Sequence, residues 1–516
     1  MSVSVTRRTV LVAAAATGAA TLTTNPALAS PRPALADRET SALADLEAKI
    51  KDGMARYGIP GVALGLHHRG RDYVRGYGVT NLADPQPVDG DTVFRVGSTT
   101  KTFTGTAVMR LVERGTLDLN RTVRSYLPDF RTADAAASAR VTVRQALQHT
   151  PGWLGDFLLN TGEGAGALAR YVSEMSRLPQ LTAPGTTFAY NNAALSLAGR
   201  LIEVVTRRPY QEAIRTLVTA PLRLDSSAFY LDDLPGARVA TSHTFTTDGE
   251  LVADPAAFTV PRSLHPAGGL ISSARDQLRW ARFHLGDGGR LLSSRSLRLM
   301  QSHPGPGGSL FVELDGVGIT WMLRPTAEGP RVVQHGGDWA GQHSGFLMVP
   351  ERDFAITVLT NADSGPDLLA ELFVEDWALD RFAGVHNLPA TPRTLPAAEL
   401  AAYAGRYTFE QIGFDGETGS LAFLLVPDAG KLQFRAETGE EGGWLVFYRP
   451  DRVLEQLPDG TLLPGRDDFV RGADGTVTFF RSGGRLFRRT PLDAAPAVAA
   501  TRAGTPLKLP IRIPTP

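Results

Sequence analysis

Ser98 and Lys101 stand in the most informative segment of the chain, Phe94-Arg95-Val96-Gly97-Ser98-Thr99-Thr100-Lys101. Beyond them Phe103, Ala107, Val108, Leu111 and Val112 recur at helical spacing as far as Glu113, and Gly115 stops the run. Residues three apart lie one turn apart on one helix face, so this spacing predicts a lysine amine beside a serine hydroxyl. A serine hydroxyl is a weak nucleophile unless a neighbour takes its proton. Lysine can take it when burial or positive potential lowers its pKa, and the positive end of a helix supplies such potential. The Ser98 backbone N–H, unpaired at the helix start, can donate to an oxyanion. Lysine usage sharpens the signal. Lys+Arg is 53, yet lysine occurs only at Lys49, Lys51, Lys101, Lys431 and Lys508. Arginine cannot deprotonate, so a proton-transfer role requires the exception found at position 101.

Two further positions carry weaker signals. A phenol, with an ordinary pKa near 10, is a useful base only beside a cation, which makes Tyr190 chemically interesting only if Lys101 is close. Tyr190 also reads as a half-buried aromatic at a helix start, with Asn191 or Asn192 as cap. His335 followed by Gly336 and Gly337 suits a strand edge where a ligand backbone approaches closely, or a turn holding a structural histidine.

The segment Phe94–Pro128, FRVGSTTKTFTGTAVMRLVERGTLDLNRTVRSYLP, resembles the serine β-lactamase-related family. That group includes class C β-lactamases, D-Ala-D-Ala carboxypeptidases, D-aminopeptidases and related esterases. Further segments are similar in the family's order: VRQALQHTPG (Val143–Gly152), PGTTFAYNN (Pro184–Asn192), PAGGLISSA (Pro266–Ala274) and HGGDWAGQHSGF (His335–Phe346). The resemblance runs from about Leu43 to Phe382. It implies that Ser98 is acylated with Lys101 as its partner. Tyr190 would move a proton to the leaving group and activate the deacylating water. Asn192 would hold the substrate's amide side chain and orient Lys101. His335 and Gly337 would lie on the sheet edge opposite Ser98, and the Asp338 N–H would be the second oxyanion donor. His149 and His343 read as structural.

One departure restricts the substrate. His335 stands where most β-lactamases carry lysine, and an imidazole binds a carboxylate less strongly than a permanent cation. There is also no S-D-N motif. These features move weight from efficient β-lactamase action toward an esterase or a peptidase acting at D-amino-acid residues. The same residues also fit a non-hydrolytic module that binds cell-wall peptides or β-lactams.

Several elements must position these residues. Ala42–Gly58 reads as a helix, and Gly61–Leu66 with Tyr73–Val79 as a hairpin turning at Arg69-Gly70. Strand patterns return at Arg331–Gln334, Gly345–Val349 and Phe354–Leu359, before a helix over Leu368–Phe382. Strands at both ends with helices between predict an α+β domain, an antiparallel sheet flanked by helices, over residues 37–385. Residues 386–396 carry three prolines and read as a linker. Residues 397–492 hold six β-rich runs (Gly405–Thr408, Leu421–Val426, Lys431–Arg435, Trp444–Tyr448, Thr476–Arg481 and Arg485–Arg489), which predict a small all-β barrel able to narrow the cleft. Tyr403, Tyr407, Phe434, Trp444, Phe447, Phe479 and Phe480 read mostly as its core. A Pro-rich tail occupies 493–516.

Arg7 and Arg8 precede an apolar run with small-x-small sites at Ala27–Ala29 and Ala34–Ala36, so residues 1–36 read as a signal peptide, possibly of twin-arginine type. The expected location is extracytoplasmic, with no stable membrane span after processing. With 53 acidic and 53 basic residues the formal charge is zero, which argues against a nucleic-acid partner. No cysteine is present, which excludes disulfides and thiolate chemistry. No metal-ligand cluster, phosphate loop or G-x-S-x-G elbow occurs, so no cofactor and no metal are expected, and the partner is a small-molecule or peptide substrate.

Overall fold

The computed structural model describes residues 35–492 apart from 287, 288, 290, 303 and 304; the expected leader up to residue 34 and the tail from 493 lie outside the described residues. The molecule divides after Ala44. The shorter unit contributes the beginning of helix Leu35–Tyr57. The unit from Asp45 holds the sheet, the helices packed on it and the barrel.

Gly61–His68 and Arg71–Gly78 form the expected hairpin. Arg69 and Gly70 turn with φ of 49° and 77°, the paired positive values that a tight hairpin requires. Phe354–Thr360 pairs with the other side of Gly61–His68, and Gln342–Val349 follows; all three are buried along their length. Val332–Gln334, Met322–Arg324 and Gly316–Val317 complete the antiparallel order. A short strand, Gly337–Trp339, leaves this path and pairs with Gln342–Ser344. Helix Ala274–Leu285 packs on Gly61–His68 and Phe354–Thr360. Its Trp280 stacks on Phe103 with ring centres 4.0 Å apart.

The helix Thr100–Glu113 is buried almost all round. Its threonines can be buried because they bond locally, which satisfies hydroxyls that would otherwise be costly. Thr100 Oγ1 donates to the Gly97 carbonyl at 2.6 Å, Thr102 Oγ1 to that of Thr99 at 2.8 Å, and Thr106 Oγ1 to that of Thr102 at 2.9 Å.

The helix read over Leu368–Phe382 is broken. Gly365–Leu369 passes into a wider turn at Ala370–Val374, and a second short turn spans Leu379–Ala383. The break falls at Asp376, whose φ is 70°. Its carboxylate accepts the Asn387 N–H at 2.7 Å and pairs with the buried Arg324. Tertiary bonds there outweigh helical propensity.

The C-terminal module is a closed eight-stranded barrel running from Gly405–Ile412 to Arg485–Thr490. Six of its strands cover the expected runs; Arg452–Gln456 and Asp467–Arg471 are additional. Their acids explain why they were unread, since Asp and Glu are poor strand formers. Tyr403, Tyr407, Phe447 and Phe480 fill the interior with Phe434 against them, whereas Trp444 donates outward to Asp428 Oδ2 at 2.7 Å. Phe479 packs with Leu486 and Ala189 and so fixes the barrel to the mixed α+β part of the chain.

Candidate active site

Val93–Arg95 pairs with Ile271–Ser273, and the chain then turns through Gly97, at φ 48°, into a single turn of tight helix, Gly97–Thr99. Only glycine enters this conformation without strain. The turn lifts Ser98 partly into the open while Gly97 and Thr99 stay buried. Lys101 follows one helical turn on, fully buried. Its Nζ donates to Ser98 Oγ at 2.9 Å and to the Ala267 carbonyl at 2.6 Å.

Tyr190 closes the other side. The Lys101 Nζ lies 5.0 Å from its ring centre, and Ser98 stands beside the phenol and opposes the upward push of burial on its pKa. Asn191 is the cap of helix Asn192–Thr206, its Oδ1 accepting the Ala194 N–H at 2.9 Å. His149 stacks on Tyr190 with ring centres 4.7 Å apart, and its Nδ1 accepts the Asn191 N–H at 2.8 Å. It therefore orients the phenol. Asn192 Nδ2 donates to Asp156 Oδ1 at 2.7 Å. Lys101 is thus held by Ser98 and Ala267, with Asn192 engaged on Asp156.

The strand Gly337–Trp339 lies against the turn that carries Ser98. A Cβ placed on Gly337 would stand 2.4 Å from the Ser98 nitrogen, and one placed on Gly97 would stand 2.6 Å from the Asp338 nitrogen. The backbone segments that carry the two expected oxyanion donors, Ser98 N and Asp338 N, therefore lie close against each other. The Asp338 side chain is 67% exposed and holds His343 Nδ1 at 2.8 Å. His335 precedes this strand, 2% exposed, with Nδ1 donating to the Gly336 carbonyl at 2.7 Å and its ring centre 6.2 Å from that of Tyr190.

Burial sets the charges. Desolvation, and then the positive charge of Arg485, hold Lys101 well below an ordinary lysine. Desolvation pushes Tyr190 up, so the phenol keeps its proton. The same burial pushes His335 down to about 3, leaving it neutral. A buried amine of lowered pKa against a hydroxyl, beside a protonated phenol and two backbone N–H groups, is the set of groups that serine acyl transfer requires.

A family model for Beta-lactamase matches residues 46–378. The chain belongs to the beta-lactamase family. It is 34% identical over 368 residues to penicillin-binding protein 4 of Amycolatopsis lactamdurans, covering 69% of this chain and 94% of that protein. It is 24% identical over 451 residues to the unguisins hydrolase ungD of Aspergillus violaceofuscus, covering 75% and 77%. The crystal structure of SurE superposes with a TM-score of 0.69 at 26% identity, over 88% of this chain and 100% of that one. SurE with D-Leu superposes with a TM-score of 0.68. The mixed domain with its closed barrel is therefore a serine β-lactamase and penicillin-binding-protein architecture.

Sequence reasoning missed Arg485 and Asp156. Arg485 Nε donates to Asp156 Oδ2 at 3.0 Å, and its guanidinium carbon lies 4.8 Å from the Tyr190 ring centre. The signal available was the Gly483-Gly484 pair preceding Arg485, a turn that lets backbone come close to a neighbour. Among the described residues no group of His, Asp and Glu is placed to hold a metal ion.

Proposed function

We propose that the protein is a serine hydrolase that passes through a Ser98 acyl-enzyme, cleaving an ester or amide bond beside a D-amino-acid residue in preference to opening a β-lactam. The observation that carries this reading is the buried Lys101 amine 2.9 Å from Ser98 Oγ. Neutral Lys101 takes the Ser98 proton as Oγ attacks the carbonyl carbon, and the carbonyl oxygen becomes an oxyanion between Ser98 N and Asp338 N. The Tyr190 phenol gives its proton to the departing group and is reprotonated by Lys101. Water then enters by the reverse route, forming the acid and releasing Ser98. Neutral His335 offers no permanent charge to a β-lactam carboxylate, which supports the preference for other substrates. The solved SurE complex with D-Leu supports the D-residue. The leader read in residues 1–36 supports work outside the cytoplasm.

A substrate panel tests the proposal: p-nitrophenyl esters, peptides ending in D-Ala-D-Ala, N-terminal D-amino-acid amides and nitrocefin, each against wild type and Ser98→Ala. Turnover of esters or D-residue substrates that disappears in Ser98→Ala is the expected result. Fluorophosphonate labelling at any other residue would overturn it.

A further inference from the structure

The mechanism leaves one charged group of the site without a task. Arg485 belongs to the barrel, at the turn between Val477–Ser482 and Arg485–Thr490. Main chain fixes that turn in the centre, since the Tyr190 N–H donates to the Gly484 carbonyl at 2.8 Å. Gly484 takes φ of 75°, and a Cβ there would stand 3.1 Å from Tyr190 Cβ, so glycine lets the turn lie flat on the tyrosine. Next to it Arg481 Nη1 donates to the Phe188 carbonyl at 2.5 Å. Arg485 then runs from Asp156 to the phenol ring, with an Nη donating to the Gly483 carbonyl at 2.8 Å. The side chains of Arg485 and Asp156 are 19% and 6% exposed.

We propose that this hairpin is an integral part of the catalytic centre, and that Arg485 acts from it as a positioning residue: clamped on Asp156, it holds Asn192 and Tyr190 against the Ser98–Lys101 pair and places a fixed positive charge beside them. The proposal rests on the Ser98 acyl-enzyme. The ion pair with Asp156 decides between the roles open to a guanidinium here. An anchor for a substrate carboxylate needs unneutralised charge, whereas this charge already has its counter-ion within a hydrogen bond.

Geometry gives the electrostatic consequence. Lys101 Nζ and the Arg485 guanidinium carbon lie 5.0 and 4.8 Å from one ring centre, hence no more than about 10 Å apart. With an effective dielectric of about 20, that repulsion shifts an amine by roughly one pKa unit. The groups facing Lys101 are Arg485, which lowers its pKa, Asp156 and Asp338, which raise it, and the uncharged His149, His335 and Tyr190. Arg485 and Asp156 therefore pull the amine in opposite directions.

The test uses the full chain and p-nitrophenyl acetate, a substrate with no charge to anchor. Arg485→Gln should lower kcat by about tenfold or more, as a misplaced catalytic group does, with little change in KM. Its acid limb should move up by roughly one pH unit. Asp156→Asn, which keeps the shape and frees the arginine charge, should move the limb the other way. Arg485→Lys should restore the limb. Thermal unfolding and fluorophosphonate labelling of each variant show that the fold and the nucleophile persist. Wild-type labelling away from Ser98 would sink the function reading and this inference with it. Labelling at Ser98 with limbs that stay fixed, or with loss confined to KM for carboxylate-bearing esters, would overturn this inference alone.

Discussion

Gly97 and Gly337 face each other at the proposed oxyanion site, Gly337 against the Ser98 nitrogen and Gly97 against that of Asp338. In Gly337→Ala the new methyl would lie 2.2 Å from the Val96 carbonyl oxygen and 2.4 Å from the Ser98 nitrogen, where ordinary contact begins at 3.4 Å. The strand must therefore retreat by about 1 Å, a displacement that costs on the order of 100-fold when it falls on a catalytic group. The Asp338 N–H moves with the strand, so one donor is withdrawn from the developing oxyanion. Loss of one such donor costs roughly 10²–10³ in kcat, or about 2.7–4 kcal/mol of transition-state stabilisation. Gly97→Ala attacks the same site from the other side and adds the strain of a positive φ. Gly336→Ala is the control, because its methyl would meet only the Ser344 carbonyl oxygen, at 3.0 Å. The assay is kcat on p-nitrophenyl acetate, normalised to the fraction of Ser98 that labels with fluorophosphonate. Substrate binding and folding should change far less than kcat. A Gly337→Ala enzyme that labels fully and turns over at the wild-type rate would refute the assignment of this site.

Lys101→Arg keeps a cation but removes the proton acceptor, and kcat on small esters should fall by about 10²–10⁴-fold while the protein stays folded. Because the amine must be neutral to act and its pKa is depressed, kcat/KM should hold through neutral pH and fall on acidification; a flat profile into the acidic range would contradict this. Nitrocefin should be turned over far more slowly than a small ester, read by spectrophotometry under matched conditions. Arg481→Ala should cost about 1.5–3 kcal/mol in a denaturant titration, because it removes the closest cation from the 4%-exposed Asp468 carboxylate and leaves it Arg452 at 3.5 Å and the Ser309 hydroxyl.

The contact between Ser98 and Lys101 was legible because it is local. Ser98, Lys101 and their helix share one short run, and an isolated lysine in an arginine-rich chain marks it. The hairpin at Arg69-Gly70, the three long core strands and six barrel strands follow from residue patterns alone. Asp376 was illegible because the helix it interrupts is broken by bonds to Asn387 and Arg324, neither of them near in the local pattern. Asp467–Arg471 opens with two acids and hides a strand that the barrel supplies by closure. Arg485 was illegible for a similar reason. Its partner Asp156 lies 329 residues away, and a strand that opens on arginine looks like any exposed edge.

The wall against Tyr190 is also the last part of the domain pair to be made. Ribosomes deliver a chain from its N-terminus at roughly 5–20 residues per second, so the nucleophile leaves the exit tunnel long before Gly484 does. Through that interval the catalytic segment has no Gly484 carbonyl to accept the Tyr190 N–H and no Phe479 or Leu486 to cover Ala189. A nascent or clipped chain ending before this turn would therefore carry Ser98, Lys101 and Tyr190 without the contacts that hold Tyr190 and Ala189 in place.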